Sequence, residues 1–215
     1  MLPLRYGLLL LLCYPGLANA LWSGISLELG KFDSDWDFGA DTRTAQHGEI
    51  SIQVEEKTDS NLTVGASIGY VDLRVVAASD STAQTQKFDG NFVSVYLRQA
   101  LRINDHISLN GAFGIRYTNG SESGADDDRA EIEWTQSVVE LGLGLRFAHF
   151  RIMPYAAYHD IDGDISDDGT DVFETDEALI RGLRLDYLVE DSAFIRFEFA
   201  SGGRQGSYLN FVRRH

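Results

Sequence analysis

The sequence predicts an all-β fold: an antiparallel β-barrel that crosses a membrane with about ten strands, eight being the lower alternative. Three observations carry this. Apolar and polar residues alternate over most of residues 21–215. The connections between the alternating segments are short and long by turns. The chain also opens on a segment built like a secretory leader.

The leader has its parts in order. Arg5 gives a positive start, an apolar run follows from Leu8 to Leu12, and Ala18-Asn19-Ala20 is a small-x-small cleavage site. The run is too short to span a bilayer as a helix. Residues 1–20 are therefore expected to be a cleaved signal peptide, and 21–215 a single barrel domain. Leu12 stands before Cys13 where a lipoprotein signal has a small residue, so no lipid anchor is expected. Cys13 is the only cysteine, so the mature chain would form no disulfide and no thiolate metal site.

The strands follow from period-two patterning. Ile25, Leu27 and Leu29 alternate with Ser26, Glu28 and Gly30, and Ile50, Ile52 and Val54 with Ser51, Gln53 and Glu55. The same pattern runs through residues 62–70, 93–98, 107–117 and 139–147. Residues 151–160 continue it, with Pro154 predicting an irregularity because proline removes a ladder donor. Residues 178–189, 193–200 and 207–212 complete the set.

Short connections fall at Lys57–Asn61, Asn104–His106, Ala148–Phe150 and Glu190–Ser192. Long polar ones fall at Asp33–His47, Ala77–Asp89, Asn119–Arg129 and Asp160–Glu177, with a shorter one at Gly202–Gly206. If the first strand rises from the periplasm, every long connection lies outside and both chain ends lie inside, as in bacterial barrels. The apolar face carries almost no charge, which suits lipid. The polar face mixes Gly with charges of both signs, which suits a small lumen. Trp22, Phe32, Tyr117, Phe147, Phe150, Tyr158, Tyr187 and Phe194 fall near strand ends, like the aromatic belts at membrane interfaces.

The end of the chain carries a specific motif. Arg204, Gly206, Leu209 and Phe211 fill the polar, glycine and two hydrophobic places of a pattern that resembles the β-signal of outer-membrane proteins. That resemblance implies a small β-barrel of the outer membrane of a Gram-negative bacterium. It also implies recognition by the barrel-assembly machinery, with Gly206, Leu209 and Phe211 as the assembly signal. Such proteins usually end on the aromatic residue, whereas this chain continues Val212-Arg213-Arg214-His215. The expected partners are outer-membrane lipids and lipopolysaccharide, and the expected state is a monomer.

Three constellations could carry chemistry. In the lumen, Arg98, Arg116, Glu140, Arg146, Arg184, Arg196 and Glu198 are expected to form an interlocked charge network, because buried charges must pair or meet water. Such a network would fill a barrel of this size, and an open water path past Arg98, Arg116 and Arg146 would instead make a pore. In the long connections acidic residues crowd together, including Asp33, Asp35, Asp37 and Asp41, the Asp126-Asp127-Asp128 run, and Asp160, Asp162, Asp164, Asp167, Asp168 and Asp171. Asp160, Asp162 and Asp164 are a candidate calcium set, since oxygens at alternate positions can wrap a hard cation. Ile165 occupies the place where an EF-hand needs Gly, so this is not that motif. Cations held there could also bridge to lipopolysaccharide phosphates.

The third constellation is catalytic. Ten-stranded barrels include the omptin proteases, and His47 and His159 would stand at the outer rim. There is no omptin-like Asp-x-His, and no Ser–His arrangement stands out, so no enzymatic activity and no other cofactor is expected. The net charge of -15 argues against binding nucleic acid through its phosphates. The leading expectation is a structural or surface-interaction role through acidic extracellular loops, with a narrow, cation-preferring, porin-like channel as the alternative.

Overall fold

The computed structural model describes residues 23–58, 61–76, 85–124, 129–166, 170–190 and 192–214. The expected leader, Trp22, the Asp126-Asp127-Asp128 run, Asp167 and Asp168 lie outside these residues.

The strands, in chain order, are β1 (Gly24–Asp37), β2 (Thr42–Lys57), β3 (Leu62–Val76), β4 (Gln86–Arg102), β5 (Ile107–Glu122) and β6 (Glu131–Phe147). They continue with β7 (Phe150–Ser166), β8 (Thr170–Thr175), β9 (Leu179–Glu190), β10 (Ala193–Gly202) and β11 (Gln205–Arg214). Sequential antiparallel pairing runs from β1 to β7, then from β7 to β9, β10 and β11. β11 returns to β1 over Gly24–Asp33. The result is a closed antiparallel barrel of 10 strands, in which the first and last strands pair with each other.

β8 lies outside that count. It pairs with Asp162–Ser166 of β7 and, at Thr175 and Glu174, with Trp36 and Asp37 of β1. It therefore closes the upper end of β1–β7 above the shorter β9–β11. The link after β8 is held down by bonds from His159 N to Ala178 O and from Gly203 N to Leu179 O, both 2.9 Å.

The strands run further than their patterning indicates. The Asp33–His47 connection shrinks to residues 38–41, and the one beginning at Asp160 is strand as far as Ser166. The reason is a change of phase along β1, β3, β4 and β6. In the lower part apolar side chains face out: Ile25, Leu27, Leu29, Ile68, Val95, Leu141 and Phe197 are all exposed. In the upper part the apolar side chains face in. On β3, outward Ile68 and Tyr70 give way to inward Val71, Leu73 and Val75. On β6, inward Ile132 and Trp134 precede outward Val139, Leu141 and Leu143. The lower part is thus built for lipid and the upper part for water, where Asp72, Asp89, Glu131, Glu133, Asp160 and Asp162 point outward.

This corrects the aromatic set. Tyr117, Phe147, Phe150, Tyr158 and Tyr187 do face outward, but Phe32 and Phe194 are buried in the interior. At Pro154 the β6 ladder loses the pairs between Gly142↔Tyr155 and Leu145↔Ile152, yet the register is unchanged. The irregularity is a gap in the ladder and adds no residue. A true register shift occurs at Ala193/Phe194.

Candidate functional site in the barrel lumen

The lumen is built from a repeated local unit. An inward glycine on one strand faces an aromatic ring on the next, and an arginine lies over the ring. Gly30, Gly65, Gly69 and Gly182 pair with Tyr208, Tyr96, Phe92 and Tyr155. A Cβ at any of these glycines would come closer than 3.0 Å to the ring, so glycine lets the ring lie flat against the wall. Above them, Arg204 lies 4.3 Å from the Tyr208 centroid, Arg98 4.2 Å from Tyr96, Arg116 3.6 Å from Phe92 and Arg184 4.4 Å from Tyr155. Each ring thus supports a guanidinium by its negative face. Replacing Gly182 with Val should push Tyr155 off the wall and cost about 1–3 kcal/mol. Urea unfolding of the refolded barrel would measure it, and a negligible change would mean that the ring swings away freely.

The arginines meet carboxylates across the lumen. Arg184 donates to Glu140 at 2.6 Å and also to Glu198, and Tyr155 donates to Glu198 at 2.7 Å. Asp186 accepts from Arg196 and from Arg151, each through Nε at 2.7 Å. Arg116 donates to Glu49. Arg98 and Arg214 flank Glu55 at 3.9 and 3.2 Å. Glu28 accepts from Gln53 at 3.1 Å and from Asn210 at 3.2 Å. Planar guanidinium forks suit this, because each can serve two carboxylate oxygens or bridge two groups.

The structure therefore brings together Arg184, Glu140 and Glu198, joins Arg196 to Asp186 and Arg116 to Glu49, and sets Arg98 beside Glu55. Arg146 stands apart, exposed at the lower end beside the start of the β6–β7 turn. Three arginines of the lumen escape a sequence reading. Arg151 falls on the inward phase of β7, which the spacing with Met153 and Tyr155 could have revealed. Arg204 and Arg214 lie in segments that read as an assembly motif and a tail.

Above the network the lumen is apolar. Trp36, Leu73, Phe88, Ile132, Trp134, Ile161 and Phe173 form one buried cluster inside the upper strands. Trp36 stacks on Phe173 at 4.3 Å and leans on Trp134 at 5.5 Å. His47 and His159 are not rim residues. His47 stacks on Phe32 at 4.4 Å beneath Trp36, and His159 contacts the carbonyl of Glu177 at 2.9 Å. Ser34 Oγ and His47 Nε2 lie 3.4 Å apart, but the other ring nitrogen of His47 has no partner among the described residues. The pocket at this pair measures about 10 Å³, room for a single water.

The candidate calcium residues are strand residues of β7, not loop residues. Asp160, Asp162 and Asp164 are alternate positions on its outer face, so neighbouring carboxylates start roughly 7 Å apart along the strand. A straight row does not wrap an ion. Among the described residues no group of three or more His, Cys, Asp or Glu is arranged to hold a metal. Elsewhere on the outer face, hydrogen bonds from Ser123 and Tyr70 hold the Asp89 carboxyl below its ordinary range.

Gly206, Leu209 and Phe211 lie on β11, the strand that closes the barrel against β1. Phe211 faces outward, and a Cβ on Gly206 would run into the backbone of Lys31 and Phe32.

The closed all-β architecture, its outward apolar lower half and its charged lumen define an outer-membrane β-barrel fold. Solved structures agree. The chain is similar to the translocator domain of the autotransporter NalP from Neisseria meningitidis, with 14% identity, 98% of this chain and 95% of that one covered, and a TM-score of 0.50. It is also similar to the β domain of the Bordetella autotransporter BrkA, with 10% identity, 90% and 100% covered, and a TM-score of 0.50. At such identities the likeness is one of fold. No family model matches the sequence, and no curated protein matches it.

Proposed function

We propose that this protein sits in the outer membrane of a Gram-negative bacterium as a barrel closed to flow, and that it carries a rigid acidic head to the cell surface for a structural or surface-interaction role. The observation that supports this most is the apolar plug: Trp36, Phe88, Trp134 and Phe173 meet inside the upper lumen, above the ion pairs that line the lower lumen. A hydrated ion would have to shed its water to pass such a seal. The short turns and the chain ends would lie in the periplasm, and β8 with the long connections outside.

The outer face offers Asp72, Asp89, Glu131, Glu133, Asp160 and Asp162 to solvent. That face suits contact with lipopolysaccharide through bridging divalent cations. The closing strand β11 would present Gly206, Leu209 and Phe211 to the assembly machinery.

Planar-bilayer recording of the refolded protein tests the reading. Insertion without conductance is expected, with or without calcium. Stable conductance steps would overturn it and make the protein a narrow channel.

A further inference from the structure

Below the plug the lumen holds a cavity of about 190 Å³. Its room comes from small inward residues on β3, β4 and β5, namely Ser67, Ser94, Ala112 and Gly114. Arg98 also lines it and is 37% exposed, so the cavity reaches solvent at the lower end. At roughly 10–15 Å³ per water there is space for a small organic molecule with water around it.

The wall is charged in both senses. Five arginines and four glutamates line it, so its field favours neither a simple anion nor a simple cation. Arg98, Arg116, Arg184 and Arg196 each have a carboxylate within 4.0 Å, and Glu49, Glu140 and Glu198 are held in the same pairs. Two wall groups of opposite sign are left, Glu28 and Arg204. Neither has a counter-charge within that distance among the described residues.

Both offer free polar atoms. Gln53 and Asn210 donate to the same oxygen of Glu28, Oε2, at 3.1 and 3.2 Å. The other oxygen, Oε1, has no hydrogen-bond partner among the described residues and is not enclosed. Arg204 lies against the faces of Phe32 and Tyr208 at 4.0 and 4.3 Å and makes no hydrogen bond among the described residues. Its Nε is shut in, but its two terminal nitrogens are not.

The two groups also stand close together, on paired strands. Across β1 and β11, Glu28 faces Asn210 and Gly30 faces Tyr208. The Tyr208 ring covers Gly30, and the Arg204 guanidinium covers that ring. The cation thus sits one inward position above the carboxylate, a step of roughly 7 Å along the strand. A molecule with an ammonium and a carboxylate a few bonds apart spans that step, with a charged hydrogen bond of about 2.8 Å at each end.

We propose that this cavity binds a small zwitterion of the amino-acid class. Its carboxylate accepts from the terminal nitrogens of Arg204, its ammonium donates to Glu28 Oε1, and the rest of it lies toward Ser67, Ser94 and Gly114. The cavity opens at the end that carries the chain termini, so it would draw on the periplasm. This is independent of whether the barrel conducts, because the plug lies above the site.

The test is calorimetric titration of the refolded full chain in non-ionic maltoside micelles, near neutral pH and at constant ionic strength. The probe is alanine, and its two halves are propionate, which lacks the ammonium, and ethylamine, which lacks the carboxylate. Saturable binding of alanine is expected, with each half-molecule roughly tenfold weaker or more, since each loses one charged hydrogen bond. Glu28→Gln should weaken alanine to the level of propionate, and Arg204→Gln should weaken it to the level of ethylamine. Should Arg204→Gln fail to refold, the near-isosteric Glu28→Gln and the wild-type ratios still decide. Absence of saturable alanine binding to the wild type would overturn the proposal and leave a lumen of water only. Propionate or ethylamine binding as tightly as alanine, or alanine binding unchanged in Glu28→Gln, would overturn it too.

Discussion

Arg184→Met should destabilise the barrel by about 3–5 kcal/mol in urea unfolding, a larger effect than any single surface change would have. Arg184 donates to both Glu140 and Glu198 from strands on either side. Methionine roughly keeps its length and its contact with Tyr155 but leaves two enclosed carboxylates without their cation. Removing one partner of such a group costs more than the pair contributes, because the remaining charges stay desolvated. The triple change of Arg184 to Met with Glu140 and Glu198 to Gln should recover much of the loss. If Arg184→Met alone is neutral, water in the cavity is solvating the carboxylates and the network is not holding the wall.

The second large effect is expected at Trp36. It is fully enclosed by Phe173, Trp134 and His47. Trp36→Ala should cost about 3–5 kcal/mol, as other deletions of buried aromatic side chains do. Since Trp36 and Thr175 form one of only two β1–β8 pairs, the loss should also loosen β8. Limited proteolysis near residues 167–178 should then be faster than in the wild type while the lower strands stay protected. Protection unchanged at β8 would mean that its β7 pairing suffices to hold it.

Much of this architecture was legible because a strand between lipid and lumen must alternate. Ile25, Leu27 and Leu29 against Ser26 and Glu28 announce both faces of β1 without any partner being known. The short turns were legible for the same reason, since the alternation stops and restarts across them. The upper strands were harder. Val71, Leu73 and Val75 alternate as well as Val64, Ala66 and Ile68 do, but one residue out of phase. Their neighbours Asp72 and Arg74 then look like loop residues. A one-residue change of phase is the sign of a strand leaving lipid for water, and it stands at Tyr70-Val71 and again between Val138 and Val139.

The lumen was legible only as an inventory. Which carboxylate serves which arginine depends on register and on contacts across the barrel, such as Arg116 to Glu49 at 67 positions' separation. The run Asp160-x-Asp162-x-Asp164 misled because spacing alone cannot tell a wrapping loop from a straight strand. Phe32 and Phe194 misled because nearness to a strand end does not say which face a ring takes.

The change of phase has a consequence for how the molecule responds to its surroundings. The lower half owes its outward face to hydrocarbon, so it will respond to acyl-chain length and to the choice of detergent. The head hides Leu73, Ile132, Ile165 and their neighbours from water, as a water-soluble protein does, so it will respond to urea, salting-out ions and temperature. One continuous set of strands therefore answers to two solvents through two separate controls.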